Sequence, residues 1–229
     1  MSRPVVIVMV KAPRAGLVKT RLVPPLSKLD AASLAACFAQ DVVNNARSVV
    51  SDLIIAYAPA DGRAALATLL PGGLLWLAQQ GQDLGARLVA AIAHAARLGF
   101  SPVIVLGTDS QTLPPAFIAT ARDALLTEET DVVLGPTMDG GYYLVGLRHP
   151  VNNLFQNVAW STARAYEQTA RNAASAGLRL LRLPTWYDVD TFTDLLRLRA
   201  EITSDNEARA RAQATFRWLR SHDLPSPVA

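Results

Sequence analysis

Four cationic side chains crowd one short stretch of this chain. Lys11, Arg14, Lys19 and Arg21 lie within KAPRAGLVKTR (11–21), and no carboxylate follows until Asp30. The stretch comes directly after the apolar run VVIVMV (5–10), so it reads as a loop leaving a buried strand. Backbone N–H groups and basic side chains in such a place suit a phosphate. Two familiar phosphate loops do not fit. The dinucleotide fingerprint needs three glycines, and only Gly16 is present. The P-loop would match Lys19-Thr20, but Pro13 and Val18 stand where its glycines must be. A solvated basic loop is the competing reading.

The acids that could complement this loop come much later. VIVLGTD (103–109) ends an apolar run on Asp109, and Pro114-Pro115 then opens a helix. An aspartate at a strand tip can hold a divalent cation, and Mg²⁺ favours one or two carboxylates plus phosphate oxygens. An Asx-turn over Ser110 and Gln111 would use the same side chain. In YDVDT (187–191), Asp188 and Asp190 are two apart and share a face of an extended segment. Asp190 or Thr191 could equally cap the next helix, with Asp194 in its first turn. Asp139 in MDGG (138–141) reads as a turn residue, with glycines beside it that permit close approach to the backbone. Tyr142 and Tyr143 alternate on a strand, so one should face a cleft and the other the core. His94, His149 and His222 show no ligand spacing, and the single cysteine, Cys37, excludes an internal disulfide and a cysteine-based zinc site.

Residues this far apart need a frame that brings their loops together. Apolar, β-branched runs recur at 5–10, 52–58, 74–78, 102–107 and 131–135, as expected of strands buried on both faces. Between them lie segments of helical period, with stripes at Leu34, Phe38, Val42, Ala46 and at Leu84, Leu88, Ala91, Ala95, Leu98. A glycine-rich turn and a new strand follow (135–147), then a helix (about 161–176), a strand (178–184), a helix from about 191 and an Arg-rich final helix to about 220. Strands alternating with helices predict an α/β fold with a doubly wound, mainly parallel sheet, in which ligands sit beyond the carboxyl ends of the strands. With 229 residues and half of them apolar, one substantial domain is expected. A net charge of +3 is too mild to argue for nucleic acid. The arginines of the last helices (Arg197, Arg199, Arg209, Arg211, Arg217, Arg220) read as a solvated face or a homodimer contact. PVVIVMV is too short for a secretory signal and no run approaches a membrane span, so a cytoplasmic protein is expected.

Taken in order, these stretches resemble a known group. The basic loop, the strand-end GTDS-x-x-LP, the segment MDGGYYLVGL, the WST at 160–162 and the late DVDT-x-x-DL are similar to the nucleotide-diphospho-sugar transferase superfamily, with its GT-A-like fold. More narrowly they resemble the bacterial glycosyltransferase-like "transferase 1" family (DUF2064, arsenosugar type). The loop K-x-P-x-x-G-x-x-K-T-R-L-x-P-x-L is also similar to that of 2-phospho-lactate guanylyltransferases. The resemblance spans about residues 4 to 200. It implies a Rossmann-like GT-A domain with a nucleotide-binding half (1–135), a smaller acceptor-side half (136–203) and a C-terminal helix and tail (204–229).

The resemblance also implies roles. Lys11, Gly16, Lys19 and Arg21 would cradle nucleotide phosphates, with Pro13, Thr20 and Thr108 beside them. Gln82, Asp83 and Gly85 match the segment that closes over the nucleotide. Asp109 and Asp190 match ligands of Mg²⁺ or Mn²⁺. Asp139, Gly140, Gly141 and Tyr142 match the acceptor border, near Trp160, Ser161 and Thr162. The strand-end carries no D-x-D, so the second carboxylate must come from Asp190, an arrangement more like sugar nucleotidyltransferases. The expected activity is transfer from a nucleotide-activated donor to a small acceptor, most simply of a sugar. Lys19 and Arg21 would stabilise phosphate charge and Asp139 would act as base. Nucleotidyl transfer is the enzymatic alternative. A catalytically silent nucleotide-binding protein is the alternative of another class.

Overall fold

The computed structural model describes residues 2–151 and 153–224. β1 (Val5–Lys11) sits inside a seven-stranded sheet because its side chains are buried on both faces. The other strands are β2 (Asp52–Ala58), β3 (Leu75–Ala78), β4 (Val103–Leu106), β5 (Val132–Pro136), β6 (Tyr142–Leu147) and β7 (Leu180–Arg182), in the order β3-β2-β1-β4-β6-β5-β7. β1 pairs in parallel with β2 and β4, β2 with β3, and β5 with β7. β6 runs antiparallel to both neighbours. The sheet is therefore mixed and mostly parallel, with helices on both faces.

Alternation along β1 assigns the layers. Val6, Val8 and Val10 face one core with Val42, Val43 and Ala46 of α1 (Lys28–Arg47) and Ile118, Ala121 and Leu125 of α4 (Pro115–Leu126). Val5 and Ile7 face the other, with Leu88, Ala91, Ile92 and Ala95 of α3 (Leu84–Arg97) and Ala173 of α5 (Ala165–Ser175). A short α2 (Arg63–Leu69) joins β2 to β3.

A third core lies outside α1. Leu34 and Phe38 pack there with Leu195, Leu198 and Ile202 of α6 (Phe192–Ser204), Ala208 of α7 (Asn206–Arg211) and Trp218 of α8 (Gln213–Ser221). The stripe read on α1 is thus divided between two cores. That on α3 is trimmed, because Leu84 and Leu98 at its ends stay exposed. The Arg-rich final segment forms two helices rather than one, broken at Ala212. α8 has no side-chain cap of its own. Buried Asp41 of α1 supplies one, accepting from the Ala214 and Thr215 N–H groups at 2.8 and 2.9 Å and from the Thr215 hydroxyl at 2.6 Å. No helix among the described residues is long and apolar enough to cross a membrane.

Strand direction determines what meets at the sheet's edge. The parallel strands deliver the residues after β1, β2, β3, β4, β5 and β7 to one edge, and reversed β6 begins there. The loops at 12–22, 107–114, 137–141 and 183–190 are thereby neighbours, although β4 and β7 are far apart in sequence.

Candidate active site

The loop after β1 is pinned by its apolar residues. Leu22 and Leu26 are buried in the third core, and a single 3-10 turn (Thr20–Leu22) follows Lys19. Lys19 itself has φ 46° and ψ 39°, a left-handed conformation rare for a side chain other than glycine. This aims its stem inward, leaving the side chain 9% exposed, with the ammonium 5.5 Å from the centroid of the Phe38 ring. The ammonium lies 2.5 Å from Asp109 Oδ1 and 3.1 Å from Asp190 Oδ1, and donates to the Val189 carbonyl at 2.6 Å. Arg21 approaches Asp190 Oδ2 at 3.6 Å from the solvent side. Burial works to lower the Lys19 pKa, but the two carboxylates outweigh it and hold it above its ordinary value.

Asp109 and Asp190 are brought together by the chain after β7. That segment pairs with the extension of β5, through Trp186 N–H to the Pro136 carbonyl and Met138 N–H to the Trp186 carbonyl. It then passes the tip of β4, where Val189 N–H donates to the Asp109 carbonyl at 2.8 Å. Thr191 and Asp194 form a reciprocal capping box on α6, so Thr191 rather than Asp190 caps the helix and the Asp190 side chain is left for the site.

Asp188 lies behind this pair, accepting from the Ser110 hydroxyl at 2.5 Å. Burial pushes its carboxyl up to about 7. The Ser110 bond pulls against that shift, while the nearby charges of Asp109, Asp139 and Asp190 add to it. The charges of Asp109, Asp139 and Asp190 thus bear on Asp188, while Lys19 pairs with Asp109 and Asp190, and Arg21 with Asp190. Aspartate oxygens are hard donors of the kind a divalent cation takes, and here Asp109 and Asp190 converge on the Lys19 ammonium. Among the described residues no three acidic, histidine or cysteine ligands form a ready-made cage. A Mg²⁺ or Mn²⁺ held by these two aspartates would need phosphate oxygens or water to complete its shell.

Asp139 lies in the turn between β5 and β6. It is exposed, and its Oδ1 accepts from the Thr137 hydroxyl at 2.5 Å and the Gly141 N–H at 3.1 Å. Gly140 beside it has φ +88°, and a Cβ there would lie 2.2 Å from the Ala163 carbonyl oxygen. Only glycine lets the 137–141 turn press against the segment at 159–163. Trp160 packs edge-on to Tyr142 and over Gly85, while the Thr162 hydroxyl donates to the Ala159 carbonyl. Ser161 has φ 61° in the same turn. Tyr143 donates its hydroxyl to the Pro184 carbonyl. The rings of Tyr142 and Tyr143 thus serve the two opposite cores, not core and cleft.

A cleft of about 370 Å³ opens beside this cluster, over the ends of β1 and β2. Lys11, Arg14 and Arg87 bring positive charge to it, and Val18, next to Lys19, forms part of its wall. Gln79 anchors its amide N–H on the Ala56 carbonyl at 2.7 Å, and Arg87 ties the loop by donating to the Gly81 carbonyl at 3.1 Å.

The candidates fall into three groups. Lys19, Arg21, Asp109 and Asp190 are in mutual contact, and Lys11 lines the neighbouring cleft. Pro13, Gly16 and Thr20 shape the loop, Gly16 with φ +77°, and the Thr108 carbonyl accepts from Gln111. Asp83 and Gly85 are otherwise engaged, Asp83 capping α3 by accepting from Ala86 N–H and Gly85 packing on Trp160; Gln82 is exposed between the cleft and that cap. Sequence reasoning singled out no ligand role for Gln79 or Arg87. It noted Asp188 only as the partner of Asp190.

The family described as an uncharacterized protein conserved in bacteria, DUF2064, matches residues 42–162. A protein of Desulfovibrio desulfuricans G20, provisionally named a nucleotide-diphospho-sugar transferase, is 34% identical over 96% of this chain and 95% of its own, with a TM-score of 0.88. The chain belongs to the DUF2064 family. Its fold is shared more widely. The 4-diphosphocytidyl-2C-methyl-D-erythritol synthase of Anaerococcus prevotii superposes with a TM-score of 0.60 at 9% identity, over 88% of this chain and 96% of that one. The glucosyl-3-phosphoglycerate synthase of Mycobacterium tuberculosis, solved with Mn²⁺, UDP and glucosyl-3-phosphoglycerate, gives 0.50 at 10% identity over 93% and 80%. No curated protein matches this DUF2064 chain. Its architecture is GT-A-like and common to sugar-nucleotide transferases and nucleotidyltransferases.

Proposed function

We propose that this protein is a metal-dependent transferase acting on a nucleotide-activated donor, moving a sugar from a nucleoside-diphosphate sugar to a hydroxyl of a small acceptor. The observation that carries the reading is the placement of Lys19 between Asp109 and Asp190, one residue from Val18 in the wall of a basic cleft. A bound Mg²⁺ or Mn²⁺ would neutralise charge that builds on the leaving phosphate. The chain's own residues do the rest. Lys11 and the loop N–H groups bind the nucleotide phosphates, and Lys19 and Arg21 stabilise the oxygen that departs from the sugar carbon. The acceptor oxygen bonds to that carbon as the carbon–phosphate-oxygen bond breaks, and Asp139 takes the acceptor proton on Oδ2. The hydrogen bonds to Oδ1 hold Oδ2 in one orientation.

Nucleotidyl transfer is favoured by a different observation. The β4 tip carries one carboxylate and the β1 loop carries several cations, which suits attack on the α-phosphorus of a triphosphate with pyrophosphate leaving. A thermal-shift panel with Mn²⁺ separates the two. A nucleoside-diphosphate sugar at a hundred times its Kd should stabilise the protein by about 2.7 kcal/mol, and Asp109→Ala should abolish the shift. Stabilisation by a triphosphate alone would replace sugar transfer with nucleotidyl transfer. A flat panel would overturn both.

A further inference from the structure

A cation position already filled by a lysine poses a question of order. The Lys19 ammonium makes its three close contacts with Asp109, Asp190 and the Val189 carbonyl. A divalent ion drawn to the same carboxylates would stand within a few ångströms of that ammonium, and like charges so close repel strongly. The ammonium has little solvent to retreat into, since the side chain is 9% exposed and the Phe38 ring lies beneath it. Its backbone is also held left-handed, a strained state that persists where surrounding contacts enforce it. The charged groups facing it are Asp109 on the β4 tip and Asp190 after β7, with Arg21 of its own loop on the other oxygen of Asp190. An incoming phosphate is the partner that could take the ammonium from the aspartates.

We propose that Lys19 is a surrogate cation that keeps the Asp109–Asp190 pair closed to free metal and yields it when a nucleotide phosphate engages the ammonium. Metal and nucleotide then bind as a coupled pair, each raising the affinity for the other by the same factor. The inference rests on the reading of Asp109 and Asp190 as metal ligands, and its test separates the two.

The experiment measures binding of Mn²⁺ alone by the loss of its free-ion electron paramagnetic resonance signal. Wild type, Lys19→Met, Lys19→Gln, Lys19→Arg and Asp109→Asn are compared, each checked for folding by circular dichroism. Wild type and Lys19→Arg should bind Mn²⁺ weakly. Lys19→Met and Lys19→Gln, which drop the charge, should bind about tenfold more tightly or better. Adding Asp109→Asn to Lys19→Met should erase the gain. UDP, with its own Mn²⁺ complex subtracted, should tighten Mn²⁺ binding in wild type and far less in Lys19→Met. Equal or weaker Mn²⁺ binding in the charge-free variants, with binding still lost in Asp109→Asn, would overturn the gate and leave the metal site standing. No Mn²⁺ binding by any variant would overturn both. Lys19→Gln decides the matter if Lys19→Met does not fold.

Discussion

Asp139 offers the sharpest test at the scale of a single residue. Its carboxylate is exposed, so it contributes little to packing, and its Oδ1 is committed to Thr137 and Gly141. Asp139→Asn keeps the shape and removes the base. Turnover should fall about 10²- to 10⁴-fold while the melting temperature and donor affinity stay near wild type. Unchanged turnover in a steady-state assay would assign Asp139 to the turn alone. That Lys19, Asp109 and Asp190 meet was legible because loops after the strands of a mostly parallel sheet arrive at one edge. Asp83 and Gly85 show the limit of that logic. An aspartate ahead of a helix is as good a cap as a ligand, and a glycine is as good a packing surface as a phosphate neighbour. The structure gives Asp83 the Ala86 N–H to cap and sets Gly85 against Trp160. Gln79 was hidden for the converse reason, since nothing about a glutamine after an apolar run distinguishes a cleft wall from a surface.

Elements were legible where burial imposes a period and illegible where tertiary contact chooses. The strands at 5–11, 52–58 and 132–136 follow from short, mainly apolar runs. The direction of β6 does not, because TMDGGYYLVGL would read the same in either sense. The helix α8 is a second case. Its N-terminus borrows Asp41 from α1, 173 residues away for Ala214 N–H, and no local pattern predicts that. Asp41→Ala should therefore strip α8 of its cap and leave buried N–H groups unpaired, at a cost of about 2–3 kcal/mol in urea unfolding. Asp41→Asn, which retains an acceptor, should lose less. Equal losses would mean that charge rather than the hydrogen bonds holds the helix. Phe38 extends the same seam toward the site, fully buried against α6 to α8 with the Lys19 ammonium above it. Phe38→Leu should lower stability and Mn²⁺-dependent activity together, a linked loss that thermal melts and turnover on one preparation would reveal.

For the molecule as a whole, stability should depend on pH through the far side of the sheet as well as the site. Where β5 and β7 begin, Arg179 makes three hydrogen bonds to the Asp131 carboxylate, two from its guanidinium at 2.8 and 2.9 Å and one from its backbone N–H at 3.0 Å. Its side-chain and backbone donors, with the Arg148 charge nearby, hold the Asp131 carboxyl well below its ordinary 3.8. A carboxylate depressed in the folded state stabilises above its unfolded pKa and loses that contribution as pH falls through the folded one. The wild-type melting temperature should thus drop on acidification below about pH 4, and Asp131→Asn should flatten that acid limb. An unchanged acid limb would place the loss elsewhere.

The reversed strand β6 has a consequence for how such a protein can change. Because β6 returns beside β5, the segment bearing Asp139 spans only residues 137–141, whereas a parallel return would have needed a crossover of a dozen residues or more. The 137–141 segment is thereby a tight hairpin tip, rooted in the same sheet as the loops after β1 and β4 but sharing no strand end with β1, β2 or β3. On the proposed reading, substitutions or small insertions in that tip would retune which hydroxyl is presented while the loops after β1 and β4 stay intact. Donor and acceptor preferences would then be separately heritable traits.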